Sequence, residues 1–240
     1  MKHIPNTITC LNLISGFMAV VFASNGDLVT SSWLILAAMI FDFLDGFAAR
    51  LLKAYSAIGK ELDSLADIVS FGVAPGLIIY KLVYSSMHTL VPGAMSVILP
   101  FIPAIMPVCA GLRLAVFNVD TRQTVSFRGL PTPANAIAVI SVVIAAHYSD
   151  VAMLKSFIAA PVLLIVYTII LSLLMITRIP LLSLKITSFG ITGNEGRYIL
   201  MILVLASFII FGIAAAPLVI PFYLLSSFIS ALFPSAVSAG

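Results

Sequence analysis

Charge is what this sequence has least of. Only 9% of its 240 residues are Asp, Glu, Lys or Arg, against ~25% in a soluble domain. So little charge excludes an ordinary water-facing surface. Cysteine is equally scarce. Cys10 and Cys109 cannot make a disulfide framework, and nothing spaces them as metal ligands. They read as small buried apolar residues. There are three histidines and one tryptophan, Trp33, which with Tyr148 reads as an interfacial aromatic. No nucleic-acid partner is expected.

What remains is apolar sequence, 62% of the chain, in long runs from end to end. A transmembrane barrel needs strict alternation. "VLLIVYTIILSLLMI" (162–176) does not alternate, so the runs read as membrane-spanning helices. The opening "MKHIPNTITCLNLISGFMAVVFAS" starts like a signal peptide, but Asn6, Thr7, Thr9 and Asn12 interrupt the apolar region. A first transmembrane helix after a short interfacial segment is expected instead.

The pattern predicts an all-α integral membrane protein of about eight helices, forming one domain over 1–240. The spans fall near 8–24, 30–50, 61–84, 92–117, 131–148, 152–177, 197–213 and 215–233. With a cytoplasmic N-terminus, ten basic residues share the cytoplasmic side: Lys2, Arg50, Lys53, Lys60, Arg113, Arg122, Arg128, Arg178, Lys185 and Arg197. Only Lys81 and Lys155 lie opposite. That bias sets the expected orientation.

Against this background, "DFLDGFAARLLKAYSAIGKELDSLAD" (42–67) stands out, with four aspartates in apolar surroundings. Asp42 and Asp45, three apart, share a helix face; Asp63 and Asp67, four apart, share another. If the two helices are antiparallel neighbours, the four carboxylates converge near the cytoplasmic end. Each carboxylate at membrane depth costs ~2.5–3.5 kcal/mol, and repulsion adds to that. Protonation or hard divalent cations, Mg²⁺, Mn²⁺ or Ca²⁺ rather than zinc, offset the cost. A helix-end ion network with Arg50, Lys53 and Lys60 is the plainer alternative, but Asp42 and Asp45 lie deep for it. A two-metal carboxylate site suits phosphoryl displacement. Gly46, Ala49 and Gly59 leave room for a base or phosphate, and Arg50 can hold a phosphate.

The run Asp42-x2-Asp45-Gly46-x2-Ala49-Arg50-x8-Gly59-x3-Asp63-x3-Asp67 resembles the full signature of the CDP-alcohol phosphotransferases. A chance match is on the order of 10⁻¹⁰ per starting point. The resemblance implies a six-helix membrane core, about 4–177 here, with extra C-terminal helices at about 197–233. It implies a homodimer that uses two divalent cations, Mg²⁺ or Mn²⁺. Such enzymes move a substituted phosphoryl group from a CDP-linked donor to an alcohol and release CMP. It casts Asp42, Asp45 and Asp63 as metal ligands, and Asp67 as both ligand and general base. Gly46, Ala49, Arg50 and Gly59 form the CDP cradle. Elimination also favours a carboxylate base: His88 and His147 fall on the outer side, His3 is terminal, and no cysteine is near.

"IPNTITCLNLISG" (4–16), "SLADIVSFGVAPG" (64–76), "LRLAVFN" (112–118) and "FRGLPTPANA" (127–136) resemble the phosphatidylserine synthase branch. That implies CDP-diacylglycerol and L-serine as substrates and CMP as product, in the cell (inner or cytoplasmic) membrane with the site facing the cytoplasm. It also implies nucleotide contact by Asn6 and Thr9. Arg113, Arg128, Asn118 and Thr132 become candidates for the acceptor site, the arginines for the serine carboxylate. Another acceptor, such as glycerol 3-phosphate or inositol phosphate, or an ether-lipid donor, keeps the same chemistry. A cation or proton transporter is the reading from another class. The gathering of carboxylates at one end argues against it.

Overall fold

The computed structural model describes residues 3–90, 95–119, 127–182 and 194–232. The expectations for Lys2, Arg122 and Lys185 fall outside the described residues, and Arg128 is described by its backbone alone.

The fold is a helical bundle. α1 (His3–Ser24) and α2 (Leu28–Leu51) are joined by a tight turn in which Gly26 takes φ +88°. Asp27 caps α2, accepting from the Thr30 N–H at 3.0 Å. Hydrogen bonds from the Thr30 side chain and backbone hold this exposed carboxyl below its ordinary pKa. α1 is helical from His3, so the interfacial lead-in expected before residue 8 is part of the first helix.

α3 (Ala57–Asp67) is capped by Ser56, whose hydroxyl accepts from Gly59 N at 3.0 Å. It runs through a π-helical segment, Ile68–Val73, into α4 (Ala74–Leu90). α5 (Met95–Ile98) leads through a 3₁₀ stretch, Leu99–Ala104, into α6 (Ile105–Val119). α7 (Thr132–Tyr148) is the most buried helix, with an almost unbroken buried run from Asn135 to Ala146.

The span expected at 152–177 is two helices, α8 (Ala152–Ile158) and α9 (Pro161–Ile176), bent by 81°. Proline at 161 lacks an N–H and disfavours helical backbone at the residue before it, so the helix restarts there. α10 (Glu195–Phe211) and α11 (Val219–Leu232) are joined by a 3₁₀ stretch, Gly212–Leu218. A Cβ on Gly196 would lie 2.8 Å from Ser230 Cβ. The two helices therefore fold back on each other as a hairpin. Among the described residues, four helical stretches, with α10–α11 counted as one, are long and apolar enough to cross a membrane, or five with the bent pair counted as one.

One two-stranded ribbon joins the helices, which the sequence did not lead us to expect. β1 (Phe127–Arg128) pairs antiparallel with β2 (Pro180–Leu181). The core lies where α1, α2, α4, α7 and α9 meet, around Ile35, Phe71, Ile78, Met106, Val139 and Leu164.

α2 and α3 are not the directly packed neighbours that the spacing suggested. α1 packs along α2 and also against α3, while the α2 and α3 backbones make little direct contact. Ser15, Gly16, Ala19 and Ala23 give α1 a small, buried face. Small faces let helix backbones approach closely in membranes. Ser31 bonds across the α1–α2 contact, donating to Ala19 O at 2.8 Å.

Candidate active site

Asp42 sits two to three turns from the end of α2, and Asp63 and Asp67 lie on one face of α3. Carboxylate oxygens of Asp42, Asp63 and Asp67 come within 4.8 Å of one another. The fourth aspartate, Asp45, is buried and turned towards α1: the Thr9 hydroxyl donates to its Oδ2 at 2.6 Å. Asp63 Oδ1 is buried with no hydrogen-bond partner. A buried carboxylate oxygen without a donor is unfavourable on its own. With no basic side chain bonded to the cluster among the described residues, hard cations match this donor set. Two would balance four negative charges.

α1 supplies the other side of the site. Asn6 Oδ1 lies where a Cβ on Gly59 would come to 2.9 Å, so a side chain at 59 would displace Asn6. The Arg50 guanidinium folds over Gly46, with NH1 3.9 Å from the position of a Cβ there. Ala49 lies one residue before Arg50 on the same helix end.

Sequence reasoning missed Asn12 and Ser70. Asn12 is fully buried; its Nδ2 donates to Asp67 Oδ1 at 3.4 Å. The Ser70 hydroxyl donates to Asn12 Oδ1 at 2.7 Å, with Asn12 O 3.1 Å away. Ser70 belongs to the π-helical segment that follows Asp67. From the other side, Asn135 Nδ2 donates to Phe71 O at 3.1 Å. π-segments leave carbonyls out of register and recur at functional sites; here side chains of α1 and α7 grip one just after Asp67. The available signal was polarity, since an asparagine inside an apolar helix has to find a buried partner.

Gly16 shows how close this grip is. A Cβ there would fall 2.2 Å from Ser70 Oγ and 2.9 Å from Ser70 Cα. Gly16→Ala is expected to destabilise the protein by about 1–3 kcal/mol through overpacking, read as a lower unfolding temperature in detergent. Adding Ser70→Ala should recover only part of the loss, because the Ser70 main chain would still block the new methyl group. Full recovery would mean that α1 and the π-segment pack more loosely than described.

The acceptor candidates are placed unevenly. Arg113, on α6, is partly buried within electrostatic reach of Asp67, and its Nε has no hydrogen-bond partner. Asn118 is engaged elsewhere: its Nδ2 donates to Ser64 Oγ at 2.9 Å, and its carbonyl accepts from Lys60 at 2.9 Å. It ties α6 to α3. Thr132 is buried at the first turn of α7. Arg128 contributes backbone to β1, opposite Pro180.

The described residues thus form a helical bundle with several helices apolar and long enough to cross a membrane and with acidic side chains of α2 and α3 clustered together. The chain matches the CDP-alcohol phosphatidyltransferase family profile over residues 2–211, and it belongs to that family. It is 39% identical over 138 residues to a CDP-diacylglycerol–serine O-phosphatidyltransferase of Helicobacter pylori, covering 57% of this chain and 55% of the relative. It is 33% identical over 183 residues to the Bacillus subtilis protein of the same name, covering 75% and 89%. It is 32% identical over 164 residues to an archaetidylserine synthase of Methanothermobacter thermautotrophicus, covering 68% and 66%. The chain spans about half the length of the Helicobacter relative that it matches.

Proposed function

We propose that this protein transfers the phosphatidyl group of CDP-diacylglycerol to the hydroxyl of L-serine, giving phosphatidylserine and CMP. The observation that carries this reading is the convergence of Asp42, Asp63 and Asp67 beside a guanidinium with an unpartnered nitrogen, Arg113. The relatives support the acceptor. All three are named for a serine product or substrate, although one is archaeal and named for a different lipid. The shared element is serine, so the resemblance bears on the acceptor more than on the lipid tails.

In this mechanism Asp42, Asp45, Asp63 and Asp67 would hold two divalent cations, Mg²⁺ or Mn²⁺, and when bound these would supply charge neutralisation for the phosphoryl transfer. Asn6, Thr9, Gly46, Ala49, Arg50 and Gly59 cradle the CDP moiety. Thr9 also fixes the Asp45 carboxylate. The Arg113 guanidinium takes the serine carboxylate; Arg128 and Thr132 are further candidates for the acceptor side. The serine oxygen attacks the phosphorus that bears diacylglycerol. Asp67 accepts the hydroxyl proton, the bond from that phosphorus to the CMP oxygen breaks, and CMP leaves. Asn12, itself held by Ser70, keeps Asp67 turned towards the attacking hydroxyl.

The proposed setting is the bacterial inner membrane, with about eight spans, the N-terminus and site on the cytoplasmic side, and the lipid tails left in the bilayer. The distribution of basic residues supports this orientation. The α10–α11 hairpin supports counting two spans in the C-terminal stretch.

The test is product formation from labelled serine by purified protein. Chelation of divalent ions should reduce phosphatidylserine formation to background, and Mn²⁺ or Mg²⁺ should restore it while zinc does not. Undiminished synthesis after complete chelation would refute the two-metal reading.

A further inference from the structure

α10 ends where the matched residues 2–211 end, and α11 lies wholly outside them. One turn of it nevertheless grips the ribbon that leads into α7. The Tyr223 hydroxyl donates to Leu182 O at 3.0 Å. Leu182 N donates to Ser227 Oγ at 3.0 Å, and Ser227 Oγ donates to Tyr223 O at 2.7 Å. Both backbone groups of Leu182 are therefore satisfied by side chains one turn apart on α11. Leu182 directly follows β2, whose partner β1 carries Arg128. The next residue, Gly129, donates its N–H to Ile179 O at 3.0 Å, and Leu130 N donates to Leu174 O at 2.9 Å. The start of α7, with buried Thr132, is thus anchored through the ribbon to α11.

Tyr223 is itself almost fully buried, and it lies within electrostatic reach of Arg113. Ser226, three residues on and on the same helix face, is fully buried with an unpartnered hydroxyl. Arg113 Nε is unpartnered as well. Buried polar atoms are rarely left unsatisfied.

We infer that Tyr223 is a positioning residue for the acceptor side: through Leu182 it holds the ribbon whose β1 carries Arg128 and which opens α7 at Thr132. The inference rests on the reading of Arg128 and Thr132 as acceptor-side residues. It makes the hairpin a clasp that sets affinity for the amino-acid acceptor and leaves the CDP side untouched.

The experiment is steady-state CMP release by the full chain in detergent, with serine and CDP-diacylglycerol varied separately. Tyr223→Phe keeps the ring and removes only the hydroxyl bond. It is expected to raise the KM for serine about five- to tenfold, the effect of one lost buried hydrogen bond. The KM for the CDP-lipid and kcat should stay near the wild-type values, with the unfolding temperature lower by only a few degrees. Ser227→Ala should move serine KM the same way and less. In a Ser227→Ala background, Tyr223→Phe should add less than its effect alone, since both side chains hold Leu182. An unchanged serine KM in Tyr223→Phe overturns the inference. Equal rises in both KM values with a lower unfolding temperature also overturn it, because Tyr223 would then be general scaffolding. A wild type that releases CMP with another acceptor and not with serine overturns the underlying reading too, and that failure appears before any substitution.

Discussion

Asp67→Asn is expected to lower CMP release at least a thousandfold while the protein still folds. Asparagine keeps the shape and removes the negative charge and the proton-accepting oxygen. General-base catalysis alone is worth ~10²–10⁴, and the substitution also weakens cation binding, so the combined loss lies at the upper end. Stability should move the other way. Asp67 shares its burial with Asp42 and Asp63, their oxygens within 4.8 Å. Removing one of several crowded carboxylates relieves repulsion whenever cations are absent. In chelator the variant should therefore unfold at the wild-type temperature or above it, and in Mn²⁺ it should gain less stabilisation than wild type. Turnover within tenfold of wild type would show that another group takes the proton.

The second large effect is structural and lies away from the carboxylates. Gly129 adopts φ +74°, and a Cβ there would meet three backbone oxygens: Met175 O and Thr177 O at 2.6 Å and Leu174 O at 3.0 Å. None of these can swing aside as a side-chain tip could. Gly129→Ala combines a left-handed residue, about 1–2 kcal/mol, with overpacking of about 1–3 kcal/mol. A fall in unfolding temperature of roughly 5–15 °C follows for a chain of this size, with loss of activity as the ribbon leaves the end of α9. Gly212 is the control. It also has positive φ, +56°, but nothing lies within 4 Å of its would-be Cβ. Gly212→Ala should bear only the backbone penalty. Equal effects at the two positions would mean that the carbonyl cage around Gly129 is not rigid.

The grouping of the carboxylates was legible because the cost of charge in a membrane makes each aspartate conspicuous, and because residues three or four apart must share a face. Sequence spacing fixed which helices carry them, not what stands between those helices. α1 lies against both, and its role was hidden because Gly16, Ala19 and Ala23 look like filler until their packing is seen. Asn12 and Ser70 were hidden for a related reason. Their partner is each other, 58 positions apart, and no local periodicity reports a contact at that distance. The break before Pro161 was readable in principle from the proline. The apolar run across it outweighed that signal, so one span was expected where there are two helices. The ribbon of β1 and β2 left no trace, since strands of two residues have no period. The C-terminal stretch looked like hydrophobicity alone, and only the bonds from Tyr223 and Ser227 to Leu182 give it a place near the site.

The central claim is serine-dependent phosphatidyl transfer at a carboxylate-bound metal site. The most direct measurement is CMP release by purified protein in detergent with CDP-diacylglycerol and Mn²⁺ or Mg²⁺. L-serine, glycerol 3-phosphate and inositol phosphate are added in separate reactions. The account predicts release with serine alone, abolished by chelation. Release that follows a different alcohol would contradict the assignment of Arg113 to a serine carboxylate, and no release in any reaction from folded protein would contradict the transfer chemistry itself.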